Sequence, residues 1–188
     1  MKIFKTTLFA ICLFPTLVLA DVPQWGVLQD ESTLHFISRE NSRDVENRAL
    51  EFTADIRFSP DNLGESTVKT KIPVASFQRD DVEALMTLQE AKFFDAENFS
   101  HITFTADKFE SLGDDNYIAH GQLTIKDITL PHDLPFHLEI SDNHAHMTSE
   151  STVLRLPFKV GTDSWSDTDF IANEVIIKID LHAEKLED

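Results

Sequence analysis

Alternation between apolar and polar residues runs through most of the chain beyond its first twenty positions. In residues 50–58, every even position is apolar and every odd position is polar. Because successive side chains of a β-strand point to opposite faces, this pattern predicts a strand with one buried and one solvated face. The same pattern predicts strands over residues 33–39, 67–74, 101–109, 116–125, 134–140, 147–156 and 175–183.

Turn-forming residues separate these segments and indicate the fold class. Clusters of Ser, Pro, Gly, Asp and Asn lie between the predicted strands, and residues 129–133 form one of the expected turns. About eight strands joined by short turns favour an all-β antiparallel sandwich or barrel. Residues 79–94 break the rhythm, since their apolar positions recur at helical spacing and predict one short amphipathic helix. These positions are Val82, Leu85, Met86 and Leu88.

The first twenty residues have the layout of an export signal. Lys2 and Lys5 give a positive start, an uncharged and mostly apolar run follows, and small residues occupy the end of the segment up to Ala20. This layout predicts a signal peptide over residues 1–20, cleaved after Ala20, because the apolar run is short for a membrane span. An uncleaved anchor is the alternative. Residues 21–188 are then expected to form one periplasmic domain that is not integral to a membrane.

Loss of this segment would change the chemistry of the chain. The single cysteine, Cys12, lies inside it, so the mature domain could form no disulfide. The segment carries two lysines and no acidic residue, so its removal takes the net charge from −17 to −19. A field of that sign repels phosphate backbones and disfavours nucleic acid as a partner. The oligomeric state is left open, a dimer included.

The chain contains no familiar catalytic or cofactor-binding motif. It has no G-x-S-x-G, H-E-x-x-H or G-x-G-x-x-G sequence, so we expect neither enzymatic activity nor a cofactor. His144 and His146 form an H-x-H pair with His132 and His137 nearby, and imidazole suits zinc or copper. The spacing shows no third ligand, so a surface histidine cluster without a metal site is expected.

Phenylalanine is the dominant aromatic residue. Of the 15 phenylalanines in the chain, three lie in the expected signal peptide, and the whole chain has one tyrosine and two tryptophans. Phe supplies apolar area without a polar group, which suits a dry core and equally a cavity for a long apolar ligand. A barrel of about eight strands accommodates both arrangements.

Several segments, taken in order, resemble one family. They are Trp25 and residues 32–36, 72–77, 93–99, 101–104, 121–126, 134–136 and 160–165. Their order and spacing are similar to those of the YceI-like family of secreted polyisoprenoid-binding proteins over nearly all of residues 21–184. The resemblance implies an extended, lipocalin-like antiparallel β-barrel with an elongated apolar pocket. It also implies an isoprenoid ligand, such as a polyprenyl phosphate or an isoprenoid quinone, in the bacterial periplasm.

Two stretches depart from the usual pattern of that family. Residues 39–50 lack the glycine that usually precedes the next strand. There Arg39, Arg43 and Arg48 alternate with acidic residues, and we expect a solvated loop laced with ion pairs. Asp127 stands where a glycine often follows the Leu-Thr-Ile-Lys motif, and a positive φ would be less comfortable for aspartate.

The inward apolar positions of the predicted strands give the expected lining of the lumen. They are Phe52, Ala54, Ile56, Phe104, Leu123, Phe136, Leu138 and Phe158. Because the mature domain is strongly negative, the expected ligand is a neutral, quinone-like isoprenoid in preference to a polyprenyl phosphate. Two other functions stay open. One is a filled barrel that buffers metal or responds to stress through its surface histidines, and the other is an enzyme that acts on an isoprenoid.

Overall fold

Antiparallel strands dominate the molecule, as the alternation predicts. The computed structural model describes residues 22–187, so the expected signal peptide lies outside the described residues. The strands are β1 (Gln24–Val27), β2 (Thr33–Glu40), β3 (Arg43–Ala49), β4 (Thr53–Arg57), β5 (Thr67–Pro73), β6 (Phe77–Gln78), β7 (His101–Gly113), β8 (Asn116–Ile125), β9 (Ile128–Ser141), β10 (His144–Leu154) and β11 (Ile171–Lys185). The helix is α1 (Val82–Gln89), and short 3-10 turns cover Gln29–Glu31, Leu63–Glu65, Val74–Ser76, Leu156–Phe158 and Asp163–Trp165.

Eight of the strands close into a barrel. They follow the order β1–β4–β5–β7–β8–β9–β10–β11, and β11 returns to β1. Strand β11 has 15 residues, roughly 50 Å of chain. It is long enough for one edge to pair with two strands, β2 and β1. Residues 171–180 pair with β2, and residues 183–185 pair with β1. Strands β3 and β6 continue the sheet from β2. The prediction of an all-β, extended antiparallel barrel with one short helix is confirmed.

The inward side chains form two adjoining apolar clusters. Phe104 belongs to the first cluster, against which Leu85 and Leu88 of α1 pack. Trp25 and Phe58 belong to the second. The Trp25 indole N–H donates to the Phe58 carbonyl oxygen at 3.0 Å, so the ring is buried without an unsatisfied donor.

The helix is shorter than the predicted residues 79–94. It begins after Asp81, whose carboxylate accepts a hydrogen bond from the Ala84 backbone N–H at 3.0 Å and so caps the helix. Val82 and Met86 are exposed, so only two of the four predicted apolar positions face the core. Within residues 22–187, no helix has the length and apolarity needed to cross a lipid bilayer.

Residues 39–48 do not form the predicted loop. They belong to the β2–β3 hairpin, whose two-residue turn has φ values of 49° at Asn41 and 63° at Ser42. Two successive positive φ angles are typical of a type I′ turn, which matches the twist of paired strands. Asn47 and Ala49 face inward and are buried. An inward asparagine conceals the apolar half of the alternation, so the sequence pattern does not show this strand.

Strand β4 is shorter at its start than residues 50–58. It begins at Thr53, and Leu50 is 58% exposed instead of facing the core. The Leu50 backbone N–H donates to the Ser76 carbonyl oxygen at 3.0 Å, which ties this residue to the turn before β6. Alternation alone cannot show that the backbone leaves one strand before it enters the next.

Strand β9 runs through the predicted turn at residues 129–133. The tight turn lies at Lys126 and Asp127, and Lys126 has the positive φ of 57° instead of Asp127. Pro131 pairs with β8 on one side. It has no partner in β10 on the other side, because the β9–β10 pairing covers only residues 137–141 of β9. Proline is tolerated there because no bond to β10 requires an N–H at that position.

Gly121 of β8 is a position where the barrel wall leaves no room for a side chain. A Cβ there would lie 2.7 Å from the Thr105 carbonyl oxygen and closer still to the Phe104 ring. We expect Gly121→Ala to destabilise the fold by ~1–3 kcal/mol through overpacking, measured by urea unfolding. Gly64→Ala is the matched control, because open space surrounds Gly64. Equal stability of the two variants would contradict this packing.

Candidate ligand-binding cavity

The barrel encloses a largely apolar cavity of about 230 Å³, here called the main cavity. Every strand except β1 contributes to its wall, as do α1 and the chain that follows it. A second cavity of about 80 Å³ adjoins it. Side chains that line both cavities are Ile56, Val68, Leu134, Met147 and Leu181. Taken together, the two cavities lie near the lower end of the roughly 300–1,000 Å³ range of small-molecule pockets.

The structure brings most of the eight predicted lumen residues to these cavities. Phe52, Ala54, Ile56, Phe104 and Leu123 line the main cavity. Phe136, Leu138 and again Ile56 line the second. Phe158 is buried in the first apolar cluster but lines neither cavity, because it lies on a 3-10 turn where strand alternation does not apply. That these side chains contact a ligand stays a prediction.

Aromatic rings fill much of the space around the second cavity. The ring centroid of Phe58 lies 5.3 Å from that of Phe109, 5.5 Å from that of Tyr117 and 5.8 Å from that of Phe136, each in an edge-on arrangement. Such contacts are worth about 0.5–1.5 kcal/mol each beyond the burial of area. A ligand longer than the main cavity would have to displace some of these rings.

Polar side chains also reach the main cavity, whereas strand alternation predicted only apolar residues in its wall. Ser38, Glu40, Asn47 and Arg155, here called the polar patch, lie in its wall. Glu40 forms a two-point contact with the Arg79 guanidinium, with Nη1–Oε1 and Nη2–Oε2 distances of 3.3 and 3.2 Å. Ser38 donates to Glu40 at 2.8 Å. The carboxylate is therefore neutralised at the edge of the cavity.

Arg155 is 4% exposed, and backbone carbonyl groups hold its guanidinium. Its Nε donates to Ala172 O at 3.0 Å, and Nη2 donates to Ile171 O at 2.7 Å. Its Nη1 donates to Val160 O at 3.0 Å and Gly161 O at 2.9 Å. Burial lowers the pKa of the guanidinium from its ordinary value. These bonds join the turn after β10 to the start of β11, so the Arg155 side chain has a structural role.

Asn47 is the polar-patch residue with an unused hydrogen-bonding atom. Its side chain is 2% exposed, and Nδ2 donates to Phe36 O at 3.1 Å and to Val45 O at 3.3 Å. Its Oδ1 is buried without a hydrogen-bond partner among residues 22–187. A buried acceptor left unpaired costs about 1–3 kcal/mol.

His132 contributes a titratable group to the cavity wall. Its Nε2 lies 3.2 Å from Ser151 Oγ, and its ring stands edge-on to Phe104 with centroids 6.1 Å apart. The contact bridges β9 and β10 beyond the end of their backbone pairing. Burial lowers the pKa of the His132 imidazole, which favours the neutral ring against the lumen.

A wider depression of about 660 Å³ lies in the protein wall around Pro135, Thr148 and Lys178. It is shallow and open, and charged as well as apolar side chains line it. The main cavity is smaller but less open, and its wall is largely apolar, so it removes more of an apolar ligand from water than the depression does. The main cavity is therefore the better candidate.

The histidines singled out from the sequence are separated by the strands. His132 reaches the main cavity, whereas His144 contacts Glu184 with an Nε2–Oε1 distance of 3.0 Å. His146 contacts Asp180 of β11 at 2.8 Å and stacks on His182. His146, Asp180 and His182 therefore form one group on the barrel wall. The H-x-H spacing identified only His146, because the other two residues lie 34 or more positions further along the chain.

Comparisons with known proteins agree on the class of this fold. The YceI-like domain family matches residues 25–183. The structure of BcnA from Burkholderia cenocepacia superposes with a TM-score of 0.80 at 26% identity, over 83% of this chain and 98% of that one. The Campylobacter jejuni YceI protein gives a TM-score of 0.70 at 20% identity, over 77% and 87% of the two chains.

A third solved structure is described as a polyisoprenoid-binding domain from Saccharophagus degradans implicated in plant cell wall breakdown. Its TM-score is 0.70 at 11% identity, over 87% of this chain and 99% of that one, so the likeness shows the fold. No match is found among curated proteins. The fold is that of the lipocalin-like YceI barrels. The chain belongs to the YceI-like family, because that family's domain covers most of its length.

Two histidines of the barrel wall are expected to titrate in opposite directions. Burial lowers the pKa of His132, whereas hydrogen bonds with Asp133 and then Glu110 raise the pKa of His120. His132 therefore favours the folded state above the ordinary pKa of 6.5, and this stabilisation is lost as pH falls from there through the lowered value. His120 favours the folded state below 6.5, and this is lost as pH rises through its raised pKa.

Ring-proton NMR of the folded protein measures both values. We expect the His132 midpoint below 6.5 and the His120 midpoint above it, 6.5 being the ordinary value for each. Substituting Asp133→Asn should lower the His120 midpoint, since it removes the charge that stabilises the protonated ring. The reverse order of the two midpoints would contradict the described environments.

Proposed function

We propose that this protein is a non-catalytic carrier that binds an isoprenoid-type lipid in the barrel lumen, outside the cytoplasm. The observation that supports this most is the enclosed, largely apolar main cavity, whose wall contains residues from ten strands. A barrel that served only as a filled scaffold would pack this space with side chains. The void therefore favours the carrier over the filled barrel.

Apolar burial provides the affinity. Each methylene group transferred from water into the lumen contributes ~0.8 kcal/mol. Phe36, Phe77, Phe94 and Phe104 supply flat apolar walls, and Ile56 and Leu123 lie in the same lining. A branched hydrocarbon chain therefore gains affinity along its length without polar anchors. The name of the Saccharophagus domain supports an isoprenoid as the class of ligand.

The polar patch favours a neutral head group. The protein itself engages the two arginines nearest the cavity. Arg79 is paired with Glu40, although its buried Nε has no hydrogen-bond partner among residues 22–187, and Arg155 donates to backbone carbonyls. The net charge of −17 opposes an anionic head further. The unpaired Asn47 Oδ1 instead suits a hydrogen-bond donor. The hydroxyl group of a prenol or of a reduced quinone is both uncharged and a hydrogen-bond donor. The proposed quinone-like ligand is therefore the reduced form, which carries the hydroxyl group.

The proposed location follows from the sequence of the first twenty residues. A positive start followed by a short apolar run is typical of export signals. An isoprenoid does not cross an aqueous compartment unaided, because its exposed apolar surface is unfavourable in water. A carrier in the periplasm would supply that transfer.

The identity of the bound lipid can be measured directly. The protein is purified from bacterial extract without detergent, and solvent-extracted lipid is analysed by mass spectrometry. We expect neutral isoprenoids bearing a hydroxyl group, close to one per protein. Recovery of mainly phosphorylated prenols would contradict the proposed head group, and recovery of no lipid after exposure to isoprenoid vesicles would contradict the carrier.

Ala54 provides a test of the cavity itself. Its side chain lines the main cavity, whereas its neighbour Thr53 is exposed on the outer face of β4. Ala54→Phe places a ring in the lumen and should reduce lipid load several-fold, measured by the same extraction. Thr53→Phe adds an identical ring outside and should leave the load unchanged. A full load in a folded Ala54→Phe variant would show that lipid binds elsewhere.

A further inference from the structure

Three potential metal ligands meet on the barrel wall, away from the main cavity. The ligand atoms of His146, Asp180 and His182 all lie within 4.8 Å of one another, and these residues form the one such group within residues 22–187. His146 Nε2 lies 2.8 Å and His182 Nε2 3.4 Å from the same Asp180 oxygen, Oδ1. The two imidazole rings are stacked, with centroids 4.2 Å apart and planes 8° from parallel.

Strand pairing places these side chains on one face. His146 of β10 lies directly opposite His182 of β11, and Asp180 lies two residues away on β11. The alternate residues Ala145, Leu181 and Ala183 are buried in the second apolar cluster. The three ligands therefore point outward. A site on two paired strands is held more rigidly than one on a loop.

The backbone at His182 is fixed by a second set of contacts. Its N–H donates to Ser32 Oγ at 3.0 Å, and its carbonyl oxygen accepts from the Leu28 N–H at 2.8 Å. These bonds join the 3-10 turn after β1 to β11. The ring of His182 is thus presented from a backbone whose N–H and carbonyl oxygen are both hydrogen-bonded.

We propose that His146, Asp180 and His182 bind a divalent transition-metal ion, zinc or copper(II), on the outer wall of the barrel. Two imidazoles and one carboxylate are a donor set that suits both ions. Ligand atoms about 2.1 Å from one ion lie roughly 3.4 Å apart in a tetrahedral site. The donor atoms are already within 4.8 Å of one another, and the two stacked rings would turn out of their parallel arrangement to direct both nitrogens at one ion. Three protein ligands leave a coordination position open to solvent.

The surrounding charge favours a cation. His144 and Glu184 form the next pair along the same two strands, with His144 Nε2 3.0 Å from Glu184 Oε1. Glu139 of β9 lies opposite His146 on its other side. The chain as a whole carries −17. Negative groups beside the site and a negative field around it concentrate cations there.

The proposal does not depend on lipid binding. Asp180 and His182 alternate along β11 with Ile179 and Leu181, which line the main cavity. Metal and lipid would occupy opposite faces of the same strand. Loss of one activity by substitution can therefore be separated from loss of the other.

The test uses untagged protein that has been stripped with a chelator and then titrated calorimetrically with zinc, and separately with copper(II). We expect one ion per chain for at least one of the two metals. His146→Ala and His182→Ala should each weaken binding by about tenfold or more, since the loss of even an outer partner has effects of that size. His120→Ala is the matched control, because His120 contacts two carboxylates but no second imidazole, and it should bind normally.

Electron paramagnetic resonance of the copper-loaded protein identifies the donors. We expect nitrogen hyperfine structure from two imidazoles, reduced to one in either single variant, with circular dichroism confirming that the variants are folded. His144→Ala should retain both nitrogens, because His144 pairs with Glu184. Absence of saturable binding of both metals in the micromolar range would overturn the proposal. Binding that survives the loss of both His146 and His182 would overturn it equally.

Discussion

Strand β11 closes the barrel, and the cavity exists because of that closure. One edge of its 15 residues pairs with β2 and then with β1, while residues 174–184 of the other edge pair with β10. Closure leaves the alternate side chains of eight strands facing one interior, where water is excluded. Residues such as Ile177, Ile179 and Leu181 give β11 an apolar inner face, so the strand that closes the wall also lines the lumen.

The same closure makes every polar group in the lumen consequential. An unpaired donor or acceptor cannot turn to water, and a charge must be neutralised where it stands. Glu40 meets this requirement through Arg79, and Arg155 meets it through four carbonyl contacts. Asn47 Oδ1 has no such partner among the described residues. A ligand with a neutral donor would satisfy this acceptor without adding a charge to the lumen.

Alternation in the sequence was sufficient to predict an antiparallel sandwich or barrel and the inward position of most lumen residues, because side-chain direction in a strand repeats every two residues. The choice of a barrel came from the family resemblance. It placed Ala54, Ile56 and Phe104 facing inward, as observed. It missed β3, where an inward asparagine interrupts the apolar half of the pattern. Pro131 suggested a turn at residues 129–133, since the sequence does not show that this part of β9 is not paired with β10.

The remaining parts of the site depend on contacts between distant segments. Arg155 reaches the lumen from a turn whose direction is set by its bonds to residues 160–161 and 171–172. Phe158 illustrates the converse, because an apolar residue on a turn packs in the core without lining the cavity. His146 meets His182 because the β10–β11 register aligns them. Registers of this kind are fixed by the whole sheet and are not encoded in local spacing.

A crystal structure of protein purified without detergent is the most direct test of whether the closed barrel holds a lipid chain in its lumen. We expect elongated density in the main cavity, in contact with Ala54 and Phe104, and a polar end within hydrogen-bonding distance of Asn47 Oδ1. A lumen that contains only water, or one that has collapsed onto its own side chains after exposure to isoprenoid lipid, would contradict it.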